Sequence, residues 1–227
     1  MVVAVAVANA ALAWAAGAHH AGATADLPAR GAWALLVCGG EPCRDELGAR
    51  LAAPAAGGVG GVCPAFFSSG HYKLLRDFDP SEAENPHRAR FQGVDFARLC
   101  TVAVLDRQAL DTLSNFTRFV EHLALHGPLL EERPCSTVDV AVVTSPYHVP
   151  RARAVAAVVL GSRGLSFTMV EAVPAADGER EQDDILRRAP LETRLRRARD
   201  AARAVLWVLV GFEGDALAGL VHRHRHA

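Results

Sequence analysis

Hydroxyl, imidazole and guanidinium groups are concentrated in one short stretch of the chain, Thr144 to Arg151. This stretch follows an apolar, valine-rich run, which is typical of a buried strand of a parallel sheet. Ser145 is a favoured N-cap residue, and the proline after it fits the first helical position, where its missing N–H costs nothing. Because the N-terminus of a helix attracts anions, the pattern predicts an anion-binding turn between a strand and a helix. His148 lies in that turn and can accept or donate a proton near neutral pH.

The same turn carries a resemblance to a known family. Val143 to Ala152 has the form V-T-S-x-Y-H-x-x-R-A, which resembles the signature of the SanA/YdcF/ElyC-like family. This is a Rossmann-like domain of unknown function found in many bacterial envelope proteins. The resemblance covers roughly Ala32 to Trp207, and only the segment around Tyr147 is specific. It implies S-adenosylmethionine or a nucleotide as a ligand, and a role in the envelope barrier.

Other positions match the family less closely. Gly39 and Gly40 correspond to the glycines that end the first strand in relatives, although a simple turn has the same sequence. Relatives carry S-G-G after the second strand, where this chain has Ser68, Ser69 and Gly70. Those residues face the site or form an ordinary polar turn. The S-E-A motif of relatives is matched around Glu82, for which the resemblance implies a base or a metal or ribose contact; without it, Glu82 is a helix-start residue.

The segment after the third strand departs from the family pattern. Relatives carry E-x-x-S-x-N-T-x-E-N, and this chain keeps Thr112 and Asn115. Ala109 and Ser114 replace the family's serine and second glutamate. The loss of one hydroxyl and one carboxylate favours a non-catalytic protein.

Alternating strands and helices position these residues. The predicted strands are Ala32 to Cys38, Cys63 to Ser68, Cys100 to Leu105, Asp139 to Val143 and Leu165 to Ala172. The predicted helices are Arg44 to Ala53, a helix ending near His126, the helix that begins at Ser145, and a long helix from Leu191 to Leu209. This alternation predicts an α/β fold, a three-layer Rossmann-like domain with a mostly parallel sheet of about five strands and helices on both faces.

Polar clusters follow each of the first four strands, and open α/β sheets bind ligands at those carboxyl ends. The predicted catalytic residues are His148 and Glu82. The predicted ligand-binding residues are Gly39, Gly40, Ser68, Gly70, Thr112, Asn115, Thr144, Ser145, Tyr147 and Arg151. No metal site is predicted. The expected ligand is a phosphorylated or nucleotide-like small molecule.

The residues leave open whether the protein is an enzyme. One hypothesis is a hydrolase or transferase acting on a phosphorylated envelope precursor. A second is a non-catalytic envelope-associated structural factor, in which Arg151 pairs with an acid such as Glu82 or Asp106. A third, the least favoured, is a nucleophile–base pair of Ser145 and His148; no G-x-S-x-G elbow supports it.

Composition limits the other possibilities. The net charge is -1, with 24 basic and 25 acidic residues, so nothing indicates a nucleic-acid partner. The five cysteines match no paired zinc pattern, and a Cys38–Cys43 bridge needs an oxidising compartment.

Residues 1–26 are apolar and are interpreted as a signal or anchor, a truncated gene start, or part of the fold. Residues 27–211 form the predicted domain, and residues 212–227 form a basic His/Arg tail. A membrane or envelope location is favoured over the cytoplasm.

Overall fold

The structure, a computed structural model, describes residues 32–53, 65–68, 91, 94–95, 98–99, 102–106, 108–125, 139–173 and 194–210. Its strands are β1 (Ala32–Val37), β2 (Ala65–Ser68), β3 (Ala103–Asp106), β4 (Asp139–Thr144) and β5 (Ser166–Glu171). Its helices are α1 (Pro42–Ala52), α2 (Thr112–Leu125), α3 (Val149–Val159) and α4 (Arg194–Val210). The predicted elements in this part of the chain are therefore confirmed, with ends that differ by a few residues.

The strands form one sheet in the order β3-β2-β1-β4-β5, and every pair is parallel. At the carboxyl end of the central strand, Val37 is paired with Phe67 of β2 and Val143 of β4. Parallel sheets need crossover helices, and those helices cover both faces of the sheet. The predicted α/β, Rossmann-like fold is confirmed.

Alternate side chains of β1 belong to two separate cores. Leu36 packs in the core that contains Phe116 of α2, Val155 of α3 and Trp207 of α4. Leu35 packs in the opposite core, with residues of α1. Because side chains alternate across a strand, α1 lies on one face of the sheet, and α2, α3 and α4 lie on the opposite face.

Helix α2 is amphipathic, and its apolar side chains Leu113, Phe116, Phe119, Val120 and Leu123 all lie in one core. The C-terminal helix α4 packs against α3 and buries its Ala204 and Trp207. Among the residues described, no helix is long and apolar enough to cross a membrane. The segments 1–26 and 212–227 lie outside the described residues.

Helix α1 approaches the sheet closely at Gly48. A Cβ atom at this position would lie 2.4 Å from Val37 Cγ2 and 3.1 Å from Phe67 Cε1. Valine is stiff at χ1, so its methyl group cannot turn away without repacking. Glycine at this position therefore sets the distance between α1 and the sheet.

We expect Gly48→Ala to lower the free energy of unfolding by about 1–3 kcal/mol, the usual cost of an overpacked core. Alanine gains about 1 kcal/mol over glycine in helix propensity, and the steric conflict outweighs that gain. Urea denaturation followed by circular dichroism measures the change. The exposed Arg50 on the same helix gives a control, Arg50→Ala, which is expected to change stability by no more than about 0.5 kcal/mol. A Gly48→Ala variant at least as stable as the wild type would contradict this packing.

Candidate functional site

The order of the sheet reverses between β1 and β4. The chain passes from β1 through α1 on one face, and from β4 through α3 on the other face. The turns after these two neighbouring strands therefore leave the sheet in opposite directions and border a crevice. Residues 39–41 form one side of it and residues 145–148 form the other. We call this the switch-point crevice.

The turn after β4 is built differently from the prediction. Pro146–His148 form a 3-10 turn, and the α-helix begins only at Val149. Ser145 occupies the N-cap position of this turn with an extended backbone, as predicted, but its side chain makes no cap hydrogen bond. Its hydroxyl instead bonds across the crevice, since a buried tertiary partner competes with the local cap. Pro146 does occupy the first position of the short turn, as its fixed φ allows.

Four side chains form a hydrogen-bonded and ion-paired cluster across the crevice, which we call the Glu41 cluster: Glu41, Arg44, Ser145 and Tyr147. Ser145 Oγ donates to Glu41 Oε2 at 2.8 Å and accepts from Arg44 Nε at 2.8 Å. The Tyr147 hydroxyl donates to Glu41 Oε1, and the Arg44 guanidinium forms an ion pair with Oε2 of the same carboxylate. The cluster joins the β1–α1 turn to the β4–α3 turn.

Arg44 is 1% exposed and fills the space behind the crevice. Its Nη1 donates to the carbonyl oxygens of Gly39, at 2.5 Å, and Cys38, at 3.4 Å. Gly40 has φ +141°, and a Cβ atom there would lie 2.9 Å from Arg44 Nη1. Of the predicted glycine pair, Gly40 is the position that requires glycine, because its φ is positive and because the buried guanidinium of Arg44 lies against it.

A second polar group lies at the carboxyl end of β2. Ser68 Oγ donates to Asn115 Oδ1 of α2 at 2.7 Å, and both side chains are buried. Thr112, at the start of the same helix, is also buried. The predicted residues Ser68 and Asn115 are thus brought into contact, although they lie 47 positions apart in the chain.

Cys38 lies between these two groups. Burial raises the pKa of its thiol to about 11, although Arg44, a hydrogen bond with Asn115 and the charge of Arg151 act to lower it. The thiol is therefore protonated at neutral pH and is a poor nucleophile. Cys38 and Cys43 are both free thiols, so the bridge between them is not formed.

Arg151 has a different partner from those predicted. Its Nη1 lies 3.5 Å from Asp200 Oδ2 of α4, and its Nη2 lies within 3.0 Å of both ring nitrogens of His148. Helix α4 packs directly on α3 and brings the buried Asp200 carboxylate to Arg151. The predicted pairing with Glu82 lies outside the described residues and stays a prediction. The rings of His148 and Tyr147 lie 4.9 Å apart, which connects Arg151 to the Glu41 cluster.

Helix α4 also holds the start of α2. Arg203 pairs with Asp111 at 2.6 Å, and Asp111 Oδ1 accepts the Ser114 backbone N–H at 2.9 Å, so Asp111 caps α2. Burial acts to raise the pKa of Asp111, but the bonds from Ser114 and Arg203 outweigh it and keep the pKa below its ordinary value. The start of α2 is therefore fixed by charge-assisted contacts.

The predicted site residues in the described part of the chain all lie at the carboxyl edge of the sheet. Gly39, Gly40, Ser145 and Tyr147 border the switch-point crevice, Ser68, Thr112 and Asn115 lie at β2 and α2, and His148 and Arg151 lie at the start of α3. Thr144 is 1% exposed, and within the described residues its hydroxyl has no hydrogen-bond partner. Gly70 and Glu82 lie outside the described residues.

Four residues of this arrangement were missed from the sequence: Glu41, Arg44, Asp200 and Arg203. Glu41 directly follows the glycine pair, and Arg44 lies three positions later, a spacing that places side chains on one helical face. This spacing was the sequence pattern from which the Glu41–Arg44 pair could have been predicted. Asp200 lies in a run of arginines, where a solvated face is the ordinary interpretation. Within the described ranges, no group of three or more His, Cys, Asp or Glu residues is placed to hold a metal ion.

Asp45, next to Arg44, is almost fully buried. Burial raises the pKa of its carboxyl from 3.8 to about 7; Arg44 opposes the rise, and Glu46 and Glu41 add to it. Since the folded pKa lies above the unfolded value, the stability from this group is present below pH 3.8 and is lost as the pH rises to about 7.

We therefore expect Asp45→Asn to stabilise the protein at pH 8 by about 2–4 kcal/mol and to have little effect at pH 4. The neutral amide avoids the cost of ionising a buried carboxylate at high pH. Urea unfolding of both proteins across this pH range measures the difference. A difference in unfolding free energy that stays constant between the two pH values would show that Asp45 does not titrate in this way.

No family model, curated protein or solved structure matches this chain.

Proposed function

We propose that this protein binds a phosphorylated or nucleotide-like small molecule in the switch-point crevice. The observation that carries this proposal is the topology: the order of the parallel sheet reverses between β1 and β4, and α1 and α3 leave on opposite faces. Open α/β sheets place their ligands in the crevice at this position.

The chemistry of the crevice is consistent with an anionic ligand. Arg44 and Arg151 approach from its two sides, and Ser145 and Tyr147 supply hydroxyl groups between them. Guanidinium groups match phosphate oxygens well, because their N–H groups form a planar fork. Gly39 and Gly40 end β1 at the crevice, and Gly40 lets the Arg44 guanidinium lie against the backbone there.

The resemblance to the SanA/YdcF/ElyC-like family supports the same ligand class and adds a reaction to the proposal. A hydrolase or transferase acting on a phosphorylated envelope precursor fits a crevice in which His148 lies beside an anion site. His148 is the proposed proton donor or acceptor, since imidazole titrates near neutral pH. Arg151 contacts both ring nitrogens and is proposed to orient the ring toward the ligand.

A thermal-shift screen of the full chain tests the proposal. The panel is adenosine monophosphate, S-adenosylmethionine, a sugar phosphate, a polyprenyl-phosphate analogue and divalent metal ions. We expect at least one phosphorylated compound to raise the melting temperature, as any ligand that binds only the folded state does. Calorimetry then measures its affinity for Arg151→Ala, which we expect to be about tenfold to a hundredfold weaker.

Arg153→Ala is the matched control, because Arg153 lies on the same helix two positions away and takes no part in the site contacts described above. Its affinity is expected to equal that of the wild type. Equal affinities of the wild type and Arg151→Ala for the compound would remove Arg151 from the site. The absence of any hit from a well-folded protein would contradict the proposal.

A second candidate function is a non-catalytic, envelope-associated structural factor. The observation in its favour is that Arg44 pairs with Glu41, Arg151 pairs with Asp200, and Ser68 bonds with Asn115. Such contacts stabilise a fold without any ligand. This candidate expects no hit in the screen, together with a loss of stability in Arg151→Ala.

A further inference from the structure

The carboxylate of Glu41 is held by groups that also bind phosphate. Ser145 Oγ and the Tyr147 hydroxyl donate to its two oxygens, and the Arg44 guanidinium pairs with it. Glu41 precedes α1 at the N-cap position but makes no side-chain cap hydrogen bond with its own helix. Its side chain is therefore directed across the switch-point crevice, toward donors from the opposite turn.

Two of the three donors are anchored by contacts that do not involve Glu41. Arg44 is fixed by the carbonyl oxygens of Gly39 and Cys38, and Ser145 is fixed by Arg44 Nε at 2.8 Å. Arg44 is 1% exposed and Ser145 is 0% exposed, whereas Tyr147 is only partly buried. Arg44 and Ser145 are thus preorganised, and the Tyr147 side of the donor set lies nearer the surface.

We propose that Arg44, Ser145 and Tyr147 form a binding site for the phosphate group of the ligand, and that the Glu41 carboxylate closes this site in the ligand-free protein. The inference rests on the proposed function, because it names the anion subsite of the same crevice. The arriving phosphate takes the place of the carboxylate, and Glu41 moves into water. No covalent bond is made or broken in this exchange.

The exchange is energetically reasonable because it replaces one anion with another. Removing Glu41 without a replacement leaves a buried guanidinium unpaired, which costs about 3–5 kcal/mol. A phosphate oxygen restores the pairing and accepts from the same hydroxyl groups. Gly40 directly precedes Glu41 and has φ +141°, a conformation that side chains rarely adopt, so the backbone freedom for the movement lies next to the moving residue.

A purely structural role for Glu41 makes a different prediction. In both accounts Glu41→Ala loses stability. Only a phosphate site that Glu41 closes predicts that inorganic phosphate binds the variant more tightly than the wild type and returns the lost stability. The measurement is therefore phosphate affinity, with stability as the second readout.

The experiment uses the full chain and inorganic phosphate as the probe, at constant ionic strength. We expect Glu41→Ala to bind phosphate about tenfold more tightly than the wild type, with a saturable rise in melting temperature. Adding Arg44→Met to Glu41→Ala is expected to abolish that gain. Glu121→Ala is the control, because Glu121 is an exposed glutamate paired with Arg118 outside the crevice; its phosphate response is expected to equal that of the wild type.

Glu41→Gln is measured in parallel in case Glu41→Ala does not fold. The amide keeps the volume and the acceptor oxygen but removes the charge, so phosphate is expected to compete with it more easily. An unchanged phosphate affinity in the folded Glu41 variants would overturn the inference. A gain in these variants with no hit in the wild-type screen would leave the closed subsite standing and remove the proposed ligand-binding function. A phosphorylated compound that stabilises the wild type, with no gain of phosphate affinity in the Glu41 variants, would leave the proposed ligand-binding function standing and remove the closed subsite.

Discussion

Arg44→Met is expected to lower the free energy of unfolding by about 3–5 kcal/mol, the cost of removing one partner of a buried ion pair. Methionine fills a similar volume but leaves the Glu41 carboxylate, which is 5% exposed, without its cation. It also removes the donor to the carbonyl oxygen of Gly39 and the donor to Ser145 Oγ. Urea denaturation of the full chain, followed by circular dichroism, measures the loss.

The control is Arg50→Met on the same helix, where the side chain is exposed and the expected change is within about 0.5 kcal/mol. The double variant Arg44→Met/Glu41→Gln supplies a second comparison. Because it removes the Glu41 charge that Arg44→Met leaves without its cation, it is expected to be more stable than Arg44→Met alone. A single variant as stable as the wild type would mean that the Glu41 cluster contributes little to holding the two turns together.

Asp200→Asn is expected to lower the free energy of unfolding by about 3 kcal/mol. The Asp200 carboxylate is 1% exposed and lies among Arg151, Arg199 and Arg203. Arg203 retains Asp111 as a partner, but the substitution removes the ion pair between the largely buried Arg151 and the Asp200 carboxylate. Ligand affinity is expected to fall as well, because Asp200 fixes the position of Arg151.

Arg199→Ala provides the comparison for this prediction. Arg199 contacts the same carboxylate from an exposed position, and exposed ion pairs contribute about 0–1 kcal/mol. Urea unfolding and calorimetric titration of both variants separate the effects on stability and on affinity. If Asp200→Asn lowers the free energy of unfolding by no more than Arg199→Ala does, the contact between Asp200 of α4 and Arg151 contributes little to stability.

The elements of this fold were predictable because their sequences carry strong local patterns. The valine-rich run of β4 indicates a strand buried on both faces, and the spacing of Leu113, Phe116 and Val120 indicates a helix with one buried face. The alternation of strands and helices then restricts the chain to a parallel sheet covered on both faces. The predicted site residues that the structure describes lie at the carboxyl edge for the same reason.

The partners within the site were not predictable, because they depend on contacts between distant parts of the chain. The partner of Ser145 is Glu41, 104 positions away, so a residue that locally favours a helix cap is used for a tertiary bond instead. Arginine is rarely buried, and nothing near Arg44 in the sequence indicates that it is. Asp200 is a single carboxylate in a run of arginines, and its burial follows only from how α4 packs on α3.

The most direct test of ligand binding in the switch-point crevice is an NMR titration of the full, isotope-labelled chain with adenosine monophosphate and with a sugar phosphate. Our account predicts saturable changes in the amide signals of Gly39, Gly40, Ser145, Tyr147 and His148, with smaller changes elsewhere on the sheet. Signals that do not change with either compound, or that change only far from these two turns, would contradict it.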